Sequence, residues 1–423
     1  MQNTYHELTK HSYLSVRENS KPLDWSKQPS VYKVYENYPK IPLDLNNKTH
    51  KFLYMLGGIT AKKSYPGVEY YLRTVPSAGA LYPVEIYFQS RGVEGFVDGI
   101  YHFDVANSAI RLLYKIEDDE GVEFFYPDRR VVEGFLFLYS GVYYRSSWKY
   151  KDRAFRYLLL DAGHALGALE VAAFWFEHAY YILFDFDKLA LNERFGFENR
   201  EFFLSSAVVG KRGKRRVKRF DMRLSYVEAT YSFEKNPVIE EAYIKTVWLR
   251  GCTKSFFYPR INFVRSRLEE AIFHRRSIRE FTGTPIKKEE FEFILGYMSD
   301  KVPSDCDERV DIYYVVNRVE GVKKGLYKNG ELLVEGDYSK KAGYLCLEQA
   351  LGSESAVTFF LTGSAKSNYQ PLYQKAGLIG HRVYIAGEYL QIGVSGIGAY
   401  YDDEVREFLN TEDMVLYAIA IGR

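Results

Sequence analysis

Short runs of apolar and aromatic residues, separated by turn residues, alternate along this chain with longer apolar stretches. Residues 85–90, EIYFQS, and residues 311–317, DIYYVVN, are rich in β-branched and aromatic side chains, a composition that predicts strands. Residues 155–176 and 380–392 are apolar for longer, and the first stretch is rich in Ala and Leu and too long for a strand. We therefore predict that both stretches are buried helices.

A third helix is predicted over residues 287–299, KKEEFEFILGYMS. It follows Thr284-Pro285, which is a helix start signal. Its apolar residues recur at helical spacing, so we expect an amphipathic helix with one buried face. The residues of that face are Phe291, Ile294, Leu295 and Met298.

The order of motifs in the first half of the chain recurs in the second half. Residues 75–101, VPSAGALYPVEIYFQSRGVEGFVDGIY, share their spacing with residues 302–327, VPSDCDERVDIYYVVNRVEGVKKGLY. Similarity that stays collinear over several blocks predicts a duplication. The matched blocks are Val75-Pro76-Ser77 with Val302-Pro303-Ser304, Ile86-Tyr87 with Ile312-Tyr313, Val93-Glu94-Gly95 with Val319-Glu320-Gly321, Tyr101 with Tyr327, Gly163-His164 with Gly380-His381, and VVGK at 208–211 with AIGR at 420–423.

The mixture of strands and helices in each copy predicts an α+β protein with two tandem halves. The predicted parts are an N-terminal extension over residues 1–48, a first half over 49–220, a connector over 221–262 and a second half over 263–423.

The composition is that of an ordinary soluble protein, with 47% hydrophobic and 26% charged residues. Aromatic residues make up 17%, and such side chains suit a site built around a flat ring. The net charge of +2 gives no general attraction to nucleic acid or membranes. The polar N-terminus predicts no signal peptide, and with no run of about 18 apolar residues we expect no membrane span.

Three cysteines, Cys252, Cys306 and Cys346, are widely spaced and form no CxxC pair. This spacing argues against a disulfide framework and against a zinc site, and it fits a reducing cytoplasm. We predict a cytoplasmic protein without a metal site. The basic tract KRGKRRVKR at 211–219 can contact nucleic acid, but a solvated loop or strand edge is the more common role of such a run.

Residues 274–279, HRRSIR, place three arginines and a serine close together. If the run opens a helix or lies just before one, these side chains and backbone N–H groups can converge on a small anion such as a phosphate. A solvated basic helix end explains the run equally well. The residues concerned are Arg275, Arg276, Ser277 and Arg279.

Two segments of small residues offer backbone that a planar ligand can approach closely. The first is Pro76-Ser77-Ala78-Gly79, for which a tight turn before a strand is the alternative. The second is Gly396-Ile397-Gly398, for which a helix C-terminus with a turn is equally good. Neither is a P-loop or a GxGxxG motif.

Lys149 and Tyr150 precede the predicted helix 155–176. A lysine near aromatic surface can act as a base, and a tyrosine can share its proton network, although an exposed lysine beside a packed tyrosine is the more common arrangement. His164 and His381 lie in the apolar helices, where we expect buried structural histidines rather than ligands.

These motifs together resemble the nitroreductase-like flavoproteins, in particular the SagB/ThcOx dehydrogenase branch in a fused two-copy form. The resemblance extends over nearly the whole chain and includes TYHELTKHS at 4–12, RTVPSAGALYP at 73–83, WKYKDRAFRYLLLDAGH at 148–164 and GIGAYYDDEV at 396–405. It implies two halves that form an intramolecular pseudo-dimer. Each half would have a mainly antiparallel central sheet flanked by helices.

The resemblance also implies bound FMN. In one portion of such a site, the arginine cluster holds the phosphate, the glycine-rich segment contacts the ring, and a C-terminal basic residue assists. Those roles fall on Arg275, Arg276, Ser277, Arg279, Gly396, Ile397, Gly398 and Arg423. The other portion lies beside the isoalloxazine ring and falls on Pro76, Ser77, Ala78 and Gly79.

Each half keeps a different portion of this site. The first half has VYKVYENYPK at 31–40 where an arginine cluster would stand, and the second half has Asp-Cys-Asp-Glu-Arg after Val302-Pro303-Ser304. The resemblance therefore implies one complete FMN site per chain, composed of both halves, and one degenerate site. A monomer can then contain the whole site, and further homodimerisation stays open.

The resemblance implies an FMN-dependent oxidoreductase whose substrate is a small molecule or a modified peptide, with thiazoline or oxazoline oxidation as the specific form. Lys149 and Tyr150 match the Lys-Tyr pair implicated in substrate deprotonation. One alternative is a general nitro or quinone reductase that takes electrons from NAD(P)H. Another is a non-catalytic scaffold with a decayed flavin site. No nucleic-acid or membrane partner is expected.

Overall fold

A computed structural model of the protein describes residues 3–18, 22–65, 68–260 and 262–423. These residues form two compact units. The N-terminal unit comprises the described residues of 24–257 and 302–307, and the C-terminal unit comprises those up to Leu23, of 258–301 and of 308–423. The four-part division of the chain with boundaries after 48, 220 and 262 stays a prediction.

The elements are numbered in chain order. The helices are α1 Asn3–Leu8, α2 Tyr13–Glu18, α3 Lys48–Met55, α4 Tyr143–Tyr150, α5 Ala154–Phe176, α6 Lys188–Arg194, α7 Pro237–Thr246, α8 Arg265–His274, α9 Lys288–Ser299, α10 Ser339–Leu345, α11 Ala350–Glu354, α12 Tyr369–Tyr389 and α13 Asp402–Leu409. The strands are β1 Lys40–Pro42, β2 Ile59–Tyr65, β3 Val68–Arg73, β4 Val84–Arg91, β5 Gly99–Asp104, β6 Ala109–Lys115, β7 Arg130–Val142, β8 Tyr180–Leu183, β9 Glu201–Arg216, β10 Asp311–Val316, β11 Gly325–Lys328, β12 Glu331–Glu335, β13 Val357–Gly363, β14 Gly393–Ile397 and β15 Met414–Gly422.

The N-terminal unit is built on a seven-stranded antiparallel sheet in the order β1-β6-β5-β4-β7-β9-β8, and β2 and β3 form a separate hairpin. Helix α5 packs on β4, β7 and β9, as the apolar stretch 155–176 predicts. Every residue of α5 except Phe174 is buried. A helix that is apolar all round needs such burial on all sides.

One helical stretch among the described residues, Tyr143–Phe176, is long and apolar enough to cross a membrane. It includes residues 155–176, which the sequence predicts as a buried helix, and it does not contradict the expectation of no membrane span. Within it, 94% of the most apolar window is buried inside the protein. The stretch is thus a core helix of the N-terminal unit.

The C-terminal unit is built on a six-stranded antiparallel sheet in the order β12-β11-β10-β13-β15-β14, with α12 packed on β14 and β15. Helix α12 begins at Tyr369, eleven residues before the predicted start at 380. Its third residue is Pro371, and proline is tolerated in the first turn because the N–H groups there have no intrahelical acceptor. Gln391, with φ 58°, lies in the turn that leads to β14, so the helix ends before 392.

Helix α9 confirms the predicted amphipathic segment, with one change in its buried face. Phe291, Ile294 and Met298 are buried as expected. Tyr297 is buried with them, whereas Leu295 is only half-buried.

Apart from the additional edge strand β1, the two sheets have the same strand order, and in each unit a long buried helix lies at the same place in the order of elements. In the N-terminal unit Phe88 pairs with Tyr101 across β4 and β5, and their rings stack with centroids 5.1 Å apart. In the C-terminal unit Tyr314 pairs with Tyr327 across β10 and β11, and their rings stack with the same centroid distance of 5.1 Å. Tyr101 donates its hydroxyl to the carbonyl of Val97, and Tyr327 donates its hydroxyl to the carbonyl of Lys323, four residues earlier in each case and both at 2.8 Å. This shared register agrees with the repeat in the sequence.

The basic tract at 211–219 continues strand β9 past the end of β8, so that one edge of this part is open. Arg212 forms an ion pair with Asp128, and Arg219 forms ion pairs with Glu117, Asp119 and Asp221. Acidic neighbours therefore balance part of the charge of the tract, in agreement with a solvated strand edge.

Cys252 and Cys306 are joined by a disulfide, which corrects the expectation drawn from their spacing. The disulfide joins two extended segments of the N-terminal unit, around Ser255 and Ser304, that form an isolated antiparallel bridge. Spacing along the sequence could not show this pairing, because 54 residues separate the two cysteines and only the fold brings them together. The pairing removes one argument for a reducing compartment.

We expect Cys252→Ser to lower the free energy of unfolding, because the unfolded chain loses the constraint of a closed loop. For a loop of this length the chain-entropy relation gives at most about 4 kcal/mol. Denaturant unfolding with and without a thiol reductant measures the effect. Reductant should destabilise the parent chain and leave Cys252→Ser unchanged, and equal midpoints for the parent chain in both conditions would contradict the disulfide.

Candidate functional site

The segment after strand β3 turns sharply before the central strand β4 begins. Gly79 has φ 65°, Ala80 φ 54° and Tyr82 φ 44°, all in the left-handed region that non-glycine residues rarely adopt. Ser77 spans the turn, because its Oγ accepts a hydrogen bond from Tyr82 N at 2.9 Å. Pro76, Ser77 and Ala78 are half-exposed and Gly79 is exposed, so the predicted ligand-contacting segment is accessible.

Lys149 and Tyr150 are the last two residues of α4 and lie beside this turn. The ring of Tyr150 stacks on Tyr157 with centroids 4.1 Å apart, and Lys149 Nζ lies 5.5 Å from the centroid of the Tyr150 ring. A Cβ atom at Gly79 would lie 2.9 Å from Tyr150 Oη and 3.2 Å from Lys149 Nζ. The N-terminal unit therefore brings the two predicted catalytic side chains to the predicted ring-contacting segment. A side chain at position 79 would have to displace the end of one of these two side chains, and the φ of 65° also favours glycine there.

Asp161 anchors the same turn from helix α5 and was not among the predicted residues. Its Oδ2 accepts a hydrogen bond from Ser77 Oγ at 2.5 Å, and its Oδ1 accepts one from Ala78 N at 3.3 Å. Burial raises the pKa of Asp161 to about 7, although both hydrogen bonds act to lower it. The sequence offered one signal for this residue, a single carboxyl group within the apolar run LLLDAGH. A carboxyl group buried in such a run needs polar partners from elsewhere in the fold.

A buried ionic network fixes the other end of the turn. Arg145 Nη1 donates to the carbonyl of Tyr82 at 3.0 Å and to Glu85 Oε1 at 2.6 Å. His102 lies on the far side of Glu85, with Nε2 2.8 Å from Oε2. Burial acts to raise the pKa of Glu85, but Arg145 and His102 outweigh it and hold that pKa at about 2. The start of β4 is therefore held at fixed geometry relative to α4.

The arginine cluster of the C-terminal unit lies after a helix and not before one. Helix α8 ends at His274, and Arg275 N donates to the carbonyl of Ala271 at 3.0 Å as the helix closes. The cluster thus lies at a helix end, the second of the two arrangements that the sequence left open, and the next helix, α9, begins only at Lys288. Arg275 is buried, Arg276 donates to the carbonyls of Phe273 and Arg275, and Arg279 is exposed.

Tyr384 on α12 connects the arginine cluster with the glycine-rich segment. Its hydroxyl lies 2.8 Å from Ser277 Oγ and accepts a hydrogen bond from Gly396 N at 2.7 Å. The guanidinium carbon of Arg275 lies 5.3 Å from the centroid of its ring. The C-terminal unit thus brings Arg275, Ser277 and Gly396 together around one tyrosine. Tyr384 was not predicted from the sequence, because it lies in a helix with other aromatic residues and belongs to no distinguishing motif.

The glycine-rich segment is strand β14, at the edge of the sheet, and not the end of a helix. Ile397 is buried and pairs with Ala418, and Gly398 follows the strand. A Cβ atom at Gly396 would lie 2.0 Å from the hydroxyl of Tyr417, so a larger residue there would have to displace the Tyr417 side chain.

Arg423 is engaged within the C-terminal unit. Its Nη2 donates to Glu290 Oε1 at 2.7 Å, and its backbone carbonyl accepts a hydrogen bond from Thr282 N at 2.5 Å. Burial acts to raise the pKa of Glu290, but the Arg423 guanidinium and the Lys287 N–H hold it below its ordinary value. The structure thus gives Arg423 a carboxylate partner.

The second Val-Pro-Ser segment has a structural role. The carbonyl of Pro303 accepts a hydrogen bond from Ile182 N at 3.0 Å, and Ser304 exchanges backbone hydrogen bonds with Ser255. The Ser304 hydroxyl donates to the carbonyl of Cys306 at 2.9 Å, and Ser304 is fully buried. Asp305 accepts hydrogen bonds from Phe184 N and Asp185 N. The polar groups of this segment therefore have partners within the N-terminal unit, whereas those around Gly79 remain accessible.

The region of the first half that corresponds to the arginine cluster also has a structural role. Lys33 Nζ lies 2.6 Å from Glu201 Oε2, and both side chains are buried. The pKa of Lys33 is raised despite burial, because Glu201 stabilises the charged ammonium group. This lysine is thus paired within the core.

Histidines 164 and 381 are buried on α5 and α12, as predicted for structural histidines.

Comparisons with known proteins place these features in a family context. The Nitroreductase family matches residues 272–423. A protein from Methanocaldococcus jannaschii named "putative nitroreductase" is 29% identical over 196 residues, which are 41% of this chain and 98% of that protein. The crystal structure of a protein of the same name from Anabaena variabilis ATCC 29413 is 24% identical and superposes with a TM-score of 0.78, covering 100% of this chain and 99% of that one. The chain thus has the fold of that structure over its full length, and its residues 272–423 are similar to the Nitroreductase family.

Proposed function

We propose that this protein is an FMN-dependent oxidoreductase and, more specifically, a SagB-type dehydrogenase that oxidises thiazoline or oxazoline rings in peptides. The observation that carries the proposal is the meeting of Lys149, Tyr150 and Gly79 at one accessible place. The family match of residues 272–423 supports the oxidoreductase part. The branch and its substrate rest on the sequence resemblance.

The chemistry of the donor groups fits FMN. Arg275, Arg279 and the Ser277 hydroxyl combine positive charge with hydrogen-bond donors, the set that a phosphate monoester requires. Gly79, in the turn before β4, is exposed, and Gly396, on strand β14, is half-buried. Neither residue carries a side chain, so a planar ring can approach the backbone closely there. When bound, FMN would supply two-electron redox chemistry.

We extend the proposal to one FMN per chain. In the sequence the first half retains Pro76-Ser77-Ala78-Gly79 and the second half retains the arginine cluster, so the two retained portions are complementary. The buried state of Ser304 and the pairing of Lys33 with Glu201 support the loss of the other site. The intramolecular pseudo-dimer of the two halves stays a prediction. Whether the chain acts as a monomer or forms a further homodimer stays open.

Lys149 and Tyr150 would handle the proton of the reaction. Lys149 is exposed, so its amine can exchange protons with water, and its Nζ and Tyr150 Oη both face the position of a Cβ at Gly79. A substrate at this turn would lie within reach of either group. The Tyr157 stack holds the Tyr150 ring in place.

The second candidate is a general NAD(P)H-dependent nitro or quinone reductase. The name shared by the two relatives favours it. In this candidate, Lys149 and Tyr150 have no specific role in proton transfer. Substitution of these residues should therefore impair a dehydrogenase more than a general reductase.

We expect about one FMN per chain after reconstitution and gel filtration, measured by absorbance of the flavin released on denaturation. Arg275→Ala and Arg279→Ala should each weaken FMN binding roughly tenfold or more, because each removes a charge-assisted hydrogen bond. Arg215→Ala, which changes an exposed arginine of the basic tract, is the matched control and should bind as the parent does. Two FMN per chain would contradict the degenerate second site, and none would favour the scaffold.

We expect Lys149→Ala and Tyr150→Phe to lower kcat for oxidation of a thiazoline peptide by about 100-fold, the usual contribution of a positioned proton acceptor. FMN content should not change. Lys48→Ala, at an exposed lysine paired with Glu177, is the control for loss of a surface charge. Reduction of a nitroarene by NADPH, assayed in parallel, distinguishes the two candidates. Robust nitroarene turnover with no thiazoline oxidation in the parent protein would favour the general reductase.

A further inference from the structure

The turn over residues 77–82 adopts a conformation that its sequence alone does not favour. Ala80 and Tyr82 have φ 54° and 44°, and neither is a glycine. Residues hold such angles when surrounding contacts determine them. The contacts that hold this turn therefore decide the geometry of the candidate site.

Those contacts come from two directions. Arg145 and Arg73 hold the end of the turn at Tyr82, because Arg145 donates to its carbonyl and Arg73 N donates to its hydroxyl. The beginning of the turn is held by Asp161, which accepts from both the Ser77 hydroxyl and Ala78 N. Ser77 relays this anchor across the turn, since its Oγ also accepts from Tyr82 N.

Asp161 is itself held in a fixed position. It lies in the second turn of α5, a helix buried along its length and packed on the central strands β4 and β7. Helix α4, which carries Lys149 and Tyr150, directly precedes α5 and packs against it. The distance from Gly79 to the Lys149 and Tyr150 side chains therefore depends on the link between Asp161 and Ser77.

The surroundings of Asp161 let its charge vary near neutral pH. Asp161, Arg73 and Glu85 line one cavity of about 20 Å³, which has room for one water molecule. His164 lies one turn further along α5, and Lys149 and Tyr150 lie beyond Gly79. Burial is the main cause of the raised pKa of about 7, with Ser77 and Ala78 opposing it.

We propose that Asp161 is a positioning residue whose carboxylate holds the turn over residues 77–82 against Lys149 and Tyr150, and that its protonation loosens this turn. The inference rests on the proposed function in assuming that the turn contacts the flavin. The carboxylate accepts two hydrogen bonds. A proton on Oδ2 makes that oxygen a donor toward Ser77 Oγ, which already accepts from Tyr82 N, so the Ser77 hydroxyl must reorient.

The sign of the pH effect follows from this geometry. The site-competent form is deprotonated, so FMN binding should be tightest above pH 7 and should weaken below it. Coupling to one proton gives at most a tenfold rise in Kd for each pH unit below the pKa. Asp161→Asn cannot ionise, so its Kd should be independent of pH over this range and weaker than that of the parent at pH 8.

The test measures FMN Kd by flavin fluorescence from pH 5.5 to 8.5 for the parent chain, Asp161→Asn and Asp161→Glu. Glu170→Gln is the matched control, because Glu170 is a buried carboxyl residue on the same helix that accepts from Tyr180. The parent and the control should share one pH profile, Asp161→Asn should lose it, and Asp161→Glu should restore part of it. An Asp161→Asn profile equal to that of the parent would overturn the proposal.

Hydrogen–deuterium exchange of the FMN-free protein separates this inference from the proposed function. We expect peptides that cover residues 76–82 to exchange at least threefold faster in Asp161→Asn than in the parent at pH 8, whether or not the chain binds FMN. Unchanged exchange would overturn the positioning role. Failure of the parent to bind FMN at every pH would instead overturn the proposed function. If Asp161→Asn does not fold, Ser77→Ala removes the same link and is measured in its place.

Discussion

Burial of the two long helices on all sides constrains the rest of the structure. A helix with no exposed face cannot give its polar side chains to water, so each of them must find a partner within the protein. On α5 the carboxyl group of Asp161 meets the Ser77 turn, and that of Glu170 meets Tyr180. On α12 the hydroxyl of Tyr384 meets Ser277 and Gly396. Polar groups of the two helices therefore fix neighbouring segments of each unit, among them those that carry the predicted site residues Ser77, Ser277 and Gly396.

The sequence predicted the elements in which local pattern and burial agree. The strands around 85–90 and 311–317 and the helices at 155–176 and 287–299 all lie where apolar periodicity places them. The start of α12 was missed because residues 369–379 include Gln370, Pro371 and Lys375, which interrupt the apolar pattern although all three are buried. Whether the arginine cluster lies before a helix or at a helix end was left open, since basic residues at a helix C-terminus and an anion site before a helix look alike in sequence.

Some residues of the candidate site were predicted from the sequence and others were not. Lys149, Tyr150 and the segment 76–79 were recognised because they form contiguous motifs, and the N-terminal unit brings them together. Asp161 and Tyr384 were not recognised, because each acts through contacts with residues that are distant in the sequence. The disulfide was not predicted for the same reason, because its two cysteines are also distant in the sequence. Motifs identify the candidate ligand-contacting residues, whereas the residues that hold them in place are found only once the fold is known.

The Cys252–Cys306 disulfide has a consequence for how this chain behaves after proteolytic cleavage. Every peptide bond between the two cysteines, including those of α8, α9 and the arginine cluster, lies inside a covalently closed ring. One cut in that ring opens it without separating the products, which would migrate as a single species on a denaturing gel until a thiol is added. A cut outside the ring releases its fragment at once. The chain is therefore topologically a ring with two tails, and the phosphate-binding candidates Arg275 and Arg279 lie on the ring.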